Sequence, residues 1–357
     1  MSDIKAFILG AGFSHSYSPN HFPLTERLLP IVINQALHSE EARYQELIQF
    51  IGEHFDLTPL ENESIDFSDP ATRINFESVA SFLLNRPFPS IGEPTHTYDL
   101  LYQQLLTIIS RSLGPLDIEA VSRDKWTRGI LRDFSRYLMS TPSLVISFNY
   151  DLILDHYLWQ QGWKPIRGYG VQFLTPLTQT PIRFSKDDKT VRFLKLHGSL
   201  NWGIFPEDVM DLGNASIQFL TEKPLDPIDT VHFRGRFLDQ YRLYPYLVPP
   251  VVGKTYQHRQ IRLLWHEARA ALAVAQEIYI IGYSLPPSDV TAEFLFRAGS
   301  APAILPDSSK TITVVDPGLD SNQQERFQEA FQTKRYGHSI RFEKRDAMQY
   351  LSELLKR

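Results

Sequence analysis

The sequence predicts an α/β chain built on a Rossmann-like parallel sheet with helices on both faces. Short apolar, β-branched runs recur far apart, and helical patterns fill the chain between them; parallel strands joined by crossover helices read this way. The first run, Ala6-Phe7-Ile8-Leu9, leads directly into Gly10-Ala11-Gly12-Phe13-Ser14-His15. A buried strand ending in two glycines around one small residue is how α/β folds bring backbone N–H groups against a phosphate. Gly10 permits the tight turn and Gly12 the close approach of backbone to ligand. The full dinucleotide fingerprint also asks for a third glycine, where this chain has His15. It asks for an acid about twenty positions on, at the end of a second strand; the corresponding stretch, 28–33, has no acid behind it. On these residues alone, a phosphate cradle and a strand-to-helix turn that binds nothing both stand.

Further strands are expected at 144–148, 192–196, 278–281 and 311–315, with a weaker one at 340–342. Between the first and second strands the chain changes character. Helices are expected at 76–85, 95–113 and 122–139, where apolar residues fall three and four apart. Leu100, Leu101, Leu105, Ile108 and Ile109 form such a stripe and read as core. The expected organisation is a core of residues 1–38 and 142–357 with a helical insertion at 39–141. The acidic stretch 61–70 reads as a loop, and 203–242, interrupted by Pro206, Gly213, Pro224 and Pro227, as an irregular excursion or lid. Helices are expected again at 257–276, 286–298, 319–333 and 347–355.

A chain of 357 residues can bury a large core, in one large domain or two modest ones. Its 43% hydrophobic and 22% charged content is that of an ordinary globular protein. A net charge of −5 argues against a nucleic-acid surface as the purpose of the fold. No apolar run is long enough for a bilayer, and Met1-Ser2-Asp3 does not open a signal peptide, so a cytoplasmic location is expected. The absence of cysteine excludes disulfides, thiolate nucleophiles, iron–sulfur clusters and Cys-ligated zinc. The histidines are scattered without metal-ligand spacing, so no metal is expected.

In a parallel sheet, ligands bind beyond the carboxyl ends of the strands. Polar clusters fall there repeatedly: Asn149-Tyr150-Asp151, His197-Gly198-Ser199-Leu200-Asn201-Trp202, Gly282-Tyr283-Ser284 and Asp316-Pro317. Each has a bland account, as a helix cap, a satisfied core histidine or a stop signal. Together with the first glycine turn they make five on one side of a sheet, a coincidence that capping does not require. Gly253-Lys254-Thr255 imitates the end of a phosphate-binding loop but lacks the leading glycine, since position 248 is Val. Gly282-Tyr283-Ser284-Leu285-Pro286 imitates a nucleophile elbow, and Ser284, Asp316 and His338 follow hydrolase chain order. That hydrolase is kept as an alternative.

The ordered set Gly10-Ala11-Gly12-Phe13-Ser14, Phe148-Asn149-Tyr150-Asp151, Leu196-His197-Gly198-Ser199, Gly282-Tyr283-Ser284 and Val315-Asp316-Pro317 resembles the sirtuin-like superfamily, and more closely its bacterial branch in anti-phage defence. Phe76-Glu77 and Leu247-Val248-Pro249-Pro250 also look typical of that branch. The resemblance implies a fold that binds NAD and consumes it as a substrate. Carried over by position, Gly10, Ala11, Gly12, Phe13 and Ser14 would cradle the pyrophosphate. Asn149 and Asp151 would face the nicotinamide and its ribose, and His197 would be the general base. Gly282, Ser284 and Asp316 would lie near the adenosine half, with Asp316 on ribose hydroxyls. Sirtuin deacylases carry a four-cysteine zinc ribbon after the His-Gly motif, and a Gln where this chain has Phe148; a chain without cysteine has no such ribbon. These departures disfavour protein deacylation and leave NAD cleavage to nicotinamide and ADP-ribose. A non-catalytic NAD or ADP-ribose sensor or scaffold is the other alternative. The resemblance also implies control by homo-oligomer assembly or by a separate subunit, such as a HerA-type ATPase or an Argonaute-like protein.

Overall fold

The computed structural model describes residues 4–38, 44–55, 76–85, 96–114, 117–174, 191–205, 216–220, 224–226, 232–235, 238–249, 258–301 and 309–356. In chain order the strands are β1 (Lys5–Leu9), β2 (Ser143–Ser147), β3 (Arg192–Lys195), β4 (Gly198–Ile204), β5 (Gln218–Phe219), β6 (His232–Gly235), β7 (Leu238–Arg242), β8 (Tyr244–Leu247), β9 (Glu277–Ile281), β10 (Thr311–Val315) and β11 (Ser339–Glu343). Six of them form one all-parallel sheet in the order β11-β10-β9-β1-β2-β3. Each of the six expected runs overlaps one of these strands, with Phe148 and Leu196 falling just past the ends of β2 and β3.

Numbered among themselves along the chain, these strands run 3-2-1-4-5-6 from the β3 edge, the doubly wound order. The winding reverses between β1 and β9. In sheets of this order the ligand crevice lies at such a point, beyond the carboxyl ends, because the connections leave to opposite faces. The inner strands are covered on both faces, so they read as continuous apolar runs rather than alternating ones. Ala6, Phe7, Ile8 and Leu9 are all buried.

Between β1 and β2 lie α1 (Ala11–Tyr17), α2 (Thr25–His38), α3 (Gln45–His54), α4 (Phe76–Asn85), α5 (His96–Leu113) and α6 (Lys125–Ser140). Then come α7 (Ile153–Gln160), α8 (Pro165–Gly168), α9 (Arg259–Val274), α10 (Val290–Ser300), α11 (Ser321–Ala330), α12 (Thr333–Tyr336) and α13 (Ala347–Leu354). Phe7 packs edge-on against Phe134 and Tyr137 of α6 on one face of the sheet. Phe148 meets Trp265 of α9 and Phe296 of α10 on the other. Side-chain caps start several helices. Asp124 accepts from the Thr127 N–H at α6, and Asp320 with Gln323 forms a capping box at α11.

Four expectations need revision. Residues 28–33, where the dinucleotide fingerprint wants a second strand, lie inside α2 with Pro30 in its interior. The missing acid therefore has no strand to follow. Leu100 is exposed, although the rest of its stripe is buried. The cluster after His197 is itself a strand, β4, buried throughout and paired with β5 and β8 in a second, antiparallel sheet. The stretch expected to be irregular contributes β5, β6 and β7, of which β6 and β7 pair as a hairpin. The loop at 61–70 and Gly253-Lys254-Thr255 lie outside the described residues. Among the described residues, no helix is long and apolar enough to cross a membrane.

Candidate active site

The seam between β1 and β9 is closed by backbone. The Gly10 N–H donates to the Ile281 carbonyl (3.1 Å), the Gly12 N–H to the Gly282 carbonyl (2.8 Å), and the Gly282 N–H to the Val315 carbonyl (2.8 Å). A Cβ on Gly10 would stand 2.5 Å from the Tyr283 Cβ, and one on Gly12 2.8 Å from the Gly282 Cα. Gly282 has φ +66°, a region that costs glycine nothing. The close approach allowed by Gly10 and Gly12 is thus made to the chain's own β9 turn. Ala11 is partly exposed at this turn, and Phe13 is buried in the core beneath it.

From the end of β2, Asn149 turns onto this glycine loop. Its Nδ2 donates to the Gly10 carbonyl (2.9 Å) and to Ser14 Oγ (2.8 Å). A backbone carbonyl only accepts, so the contact with Gly10 fixes which end of the amide faces the loop. Ser14 Oγ then donates to Asp151 Oδ2 (2.5 Å), while Asp151 Oδ1 accepts from the Ile153 N–H (3.0 Å) at the start of α7. Asn149 Oδ1 makes no hydrogen bond among the described residues, and the residue is half-buried. Ser14 therefore links Asn149 to Asp151.

A lysine not anticipated from the sequence supports this loop from below. Lys195, at the end of β3, is fully buried; its Nζ donates to the Asp151 carbonyl (2.5 Å) and lies 3.3 Å from the Tyr150 carbonyl. It stands 3.4 Å from the carboxylate of Asp155, which also accepts from the Tyr169 hydroxyl. Burial holds the Asp155 carboxyl above the usual carboxylate range, against the pull of Lys195. In sequence, Lys195 looks like an interruption of an apolar run; its signal is the buried carboxylate Asp155 four residues beyond Asp151. Removing one partner of a buried pair strands the other charge. Lys195→Met is expected to lower unfolding free energy by about 3–5 kcal/mol, read from the urea midpoint; an unchanged midpoint would show the pair to be dispensable.

His197 stands in the turn between β3 and β4, where its carbonyl accepts from the Val248 N–H (2.8 Å). Strand alternation sends Phe148 and Asn149 to opposite faces. Asn149 faces α1, and the His197 ring lies on the α9 and α10 side, with centroids 5.1 Å from Phe148 and 6.2 Å from Trp265. Phe148, whose ring lies between His197 and the β9 turn, stacks on Tyr283 at 4.3 Å. Tyr283 is thus packed on a protein ring, and Trp202 is buried against Tyr169 and Phe173.

Ser284 and Asp316 stand at the ends of β9 and β10. Ser284 is half-buried; Asp316 Oδ1 accepts from the Gly318 N–H (2.7 Å), and burial raises its carboxyl pKa. His338 does not join them. It precedes β11, beside Lys310 at the amino end of the sheet, whereas Ser284 and Asp316 lie at the carboxyl end. Its Nδ1 accepts from the Lys310 N–H (3.2 Å) and its Nε2 lies 3.0 Å from the Ser300 carbonyl, so both ring nitrogens are occupied. Burial lowers its pKa and favours the neutral ring this pattern needs. The Ser284, Asp316 and His338 triad suggested by chain order is not assembled.

No family model matches the chain, and no curated protein matches it. Among solved structures it is similar to one from a study of the mechanism and regulation of Sir2 enzymes. The TM-score is 0.42 at 11% identity, over 100% of this chain and 93% of that one. The strand order and the strand-end geometry described above belong to this chain irrespective of that likeness.

Proposed function

We propose that the protein hydrolyses NAD at the bond between nicotinamide and ribose, releasing nicotinamide and ADP-ribose. The observation that supports this most is the locked amide of Asn149. Both its N–H bonds are committed to the glycine turn and Ser14, and its oxygen is left to accept from a water. Such a group aims a water without reorganising during the reaction.

The pyridinium leaves as a neutral amide while positive charge develops on the ribose, as in glycoside hydrolysis. The water oxygen bonds to C1′ as the C1′–N bond breaks, and the water's proton passes to His197. Asp151 holds Ser14, and through it the amide, and its negative charge lies on the side from which the water is held. Asp316, with one carboxylate oxygen turned to Gly318, is assigned to ribose hydroxyls of the adenosine half, and Ser284 lies one strand closer to the seam.

An NADase without restraint would exhaust its own cell. The resemblance to the anti-phage branch assigns it to defence, switched on by assembly or by a separate subunit of the HerA-type ATPase or Argonaute-like kind. Purified protein incubated with NAD, alone and with the products of neighbouring genes, is expected to yield nicotinamide and ADP-ribose in equal amounts on chromatography. His197→Ala should stop the release. Saturable heat of NAD binding with the nucleotide recovered intact would mark the protein as a sensor instead.

A further inference from the structure

Behind the site loop, four elements each send one polar side chain into an interior lined by aromatic rings. Lys195 ends β3, Asp155 lies in the first turn of α7, Tyr169 follows α8, and Asn201 stands in the middle of β4. None is more than 1% exposed. Their protons can be assigned one by one. The Lys195 ammonium has three protons and no lone pair. It meets the carbonyls of Asp151 (2.5 Å) and Tyr150 (3.3 Å) and the carboxylate of Asp155 (3.4 Å). The Tyr169 hydroxyl gives its one proton to Asp155, so from Asn201 Nδ2 (3.0 Å) it accepts. Nδ2 also donates to the Pro224 carbonyl (2.7 Å), and Asn201 Oδ1 accepts from Ser199 Oγ (2.7 Å).

We infer that Lys195 is the positioning residue of the loop Asn149-Tyr150-Asp151, and that Asp155, Tyr169 and Asn201 tie its place to the turn at Pro224. The catalytic part rests on that loop holding the water of the proposed reaction. The Tyr150 and Asp151 carbonyls belong to the two peptide planes on either side of the Asp151 Cα. Holding both planes fixes the backbone there and aims the Asp151 side chain at Ser14. Ser14 then turns the Asn149 amide. β4 grips the same loop a second time, because the Leu200 N–H donates to the Tyr150 carbonyl (3.0 Å). A buried chain with every donor committed has no slack: displacing one member leaves a polar group unpaired. Stability alone does not call for such a chain, since apolar replacements of a buried ion pair are often neutral or better. An apolar side chain at 195 could not hold two carbonyls and a carboxylate at once.

Two substitutions cut the chain away from the loop itself. Tyr169→Phe keeps the ring and breaks the link between Asp155 and Asn201; Asn201→Ala breaks the link to Pro224. Amide hydrogen exchange of the full chain, resolved by NMR, reads the loop directly. The Ile153 and Leu200 N–H groups, bonded to Asp151 and Tyr150, are expected to exchange roughly 3- to 30-fold faster in either variant. That rise should exceed any change at Val314 in the interior of β10, which reports global opening. The kcat for NAD should fall within the same range, with KM nearly unchanged. The double variant should lose no more than the worse single one, because the chain is already broken. Unchanged loop exchange in either variant, an unchanged kcat, or losses that add in the double variant would overturn the inference. If the wild-type protein leaves NAD intact, it is the proposed reaction that fails, and exchange of the two loop amides alone decides whether the chain sets the loop.

Discussion

Asn149→Ala is expected to lower NAD turnover by about 10²- to 10³-fold, the usual cost of removing one preorganised group at a reacting centre. The fold should survive, because Asn149 contributes two hydrogen bonds at a half-buried site, together about 1–3 kcal/mol. The measurement is kcat and KM for NAD beside a thermal melt. A fall in kcat with little change in KM marks a group that acts in the transition state rather than one that merely binds. Ser14→Ala sharpens the comparison: it removes the acceptor that turns the amide and the donor to Asp151, while leaving the contact to Gly10. Its loss should be smaller and of the same kind. Wild-type kcat in Asn149→Ala would remove the amide from the chemistry.

Gly282→Ala is expected to have the largest effect on stability of any single methyl added at the seam. Its new Cβ would lie 2.2 Å from the Phe13 nitrogen and 2.5 Å from the Gly12 carbonyl carbon, and the residue would hold φ +66°. Backbone cannot give way as a flexible side chain can. Overpacking costs about 1–3 kcal/mol, and the left-handed conformation roughly 1–2 kcal/mol more. The urea midpoint should fall accordingly, and NAD turnover with it, since the Gly12–Gly282 bond fixes the loop on which Asn149 rests. Retention of both would mean that the seam relaxes, and that its backbone contacts do not set the site.

The sheet was legible in the sequence because its strands are buried on both sides, which leaves uninterrupted apolar runs. Polar clusters beyond those runs pointed to Asn149, Asp151 and the first glycine turn, and these do meet. Other features were hidden for physical reasons. β4 carries Ser199 and Asn201 on a fully buried strand, and Ser199 Oγ donates to Asn201 Oδ1 (2.7 Å), a local satisfaction that reads as loop chemistry. α2 keeps a proline in its interior, which reads as a break. Lys195 pairs with a carboxylate 40 positions away, and such a pairing leaves no local spacing to detect. The Ser284, Asp316 and His338 order shows the converse. Chain order without strand direction places groups together that the sheet holds at opposite ends.

β1 precedes the other strands of its sheet in the chain and is enclosed between two of them, with β2 on one side and β9 on the other. Its first neighbour begins at Ser143 and its second at Glu277. At ordinary elongation rates a ribosome needs on the order of tens of seconds to reach the latter. Throughout that interval the segment Ala6-Phe7-Ile8-Leu9 has an unpaired edge open to any other nascent chain. The helices encoded between β1 and β2 appear before either partner and can shelter it. Biogenesis is therefore most vulnerable in the interval before β9 is made, at the segment whose turn later receives the Asn149 amide.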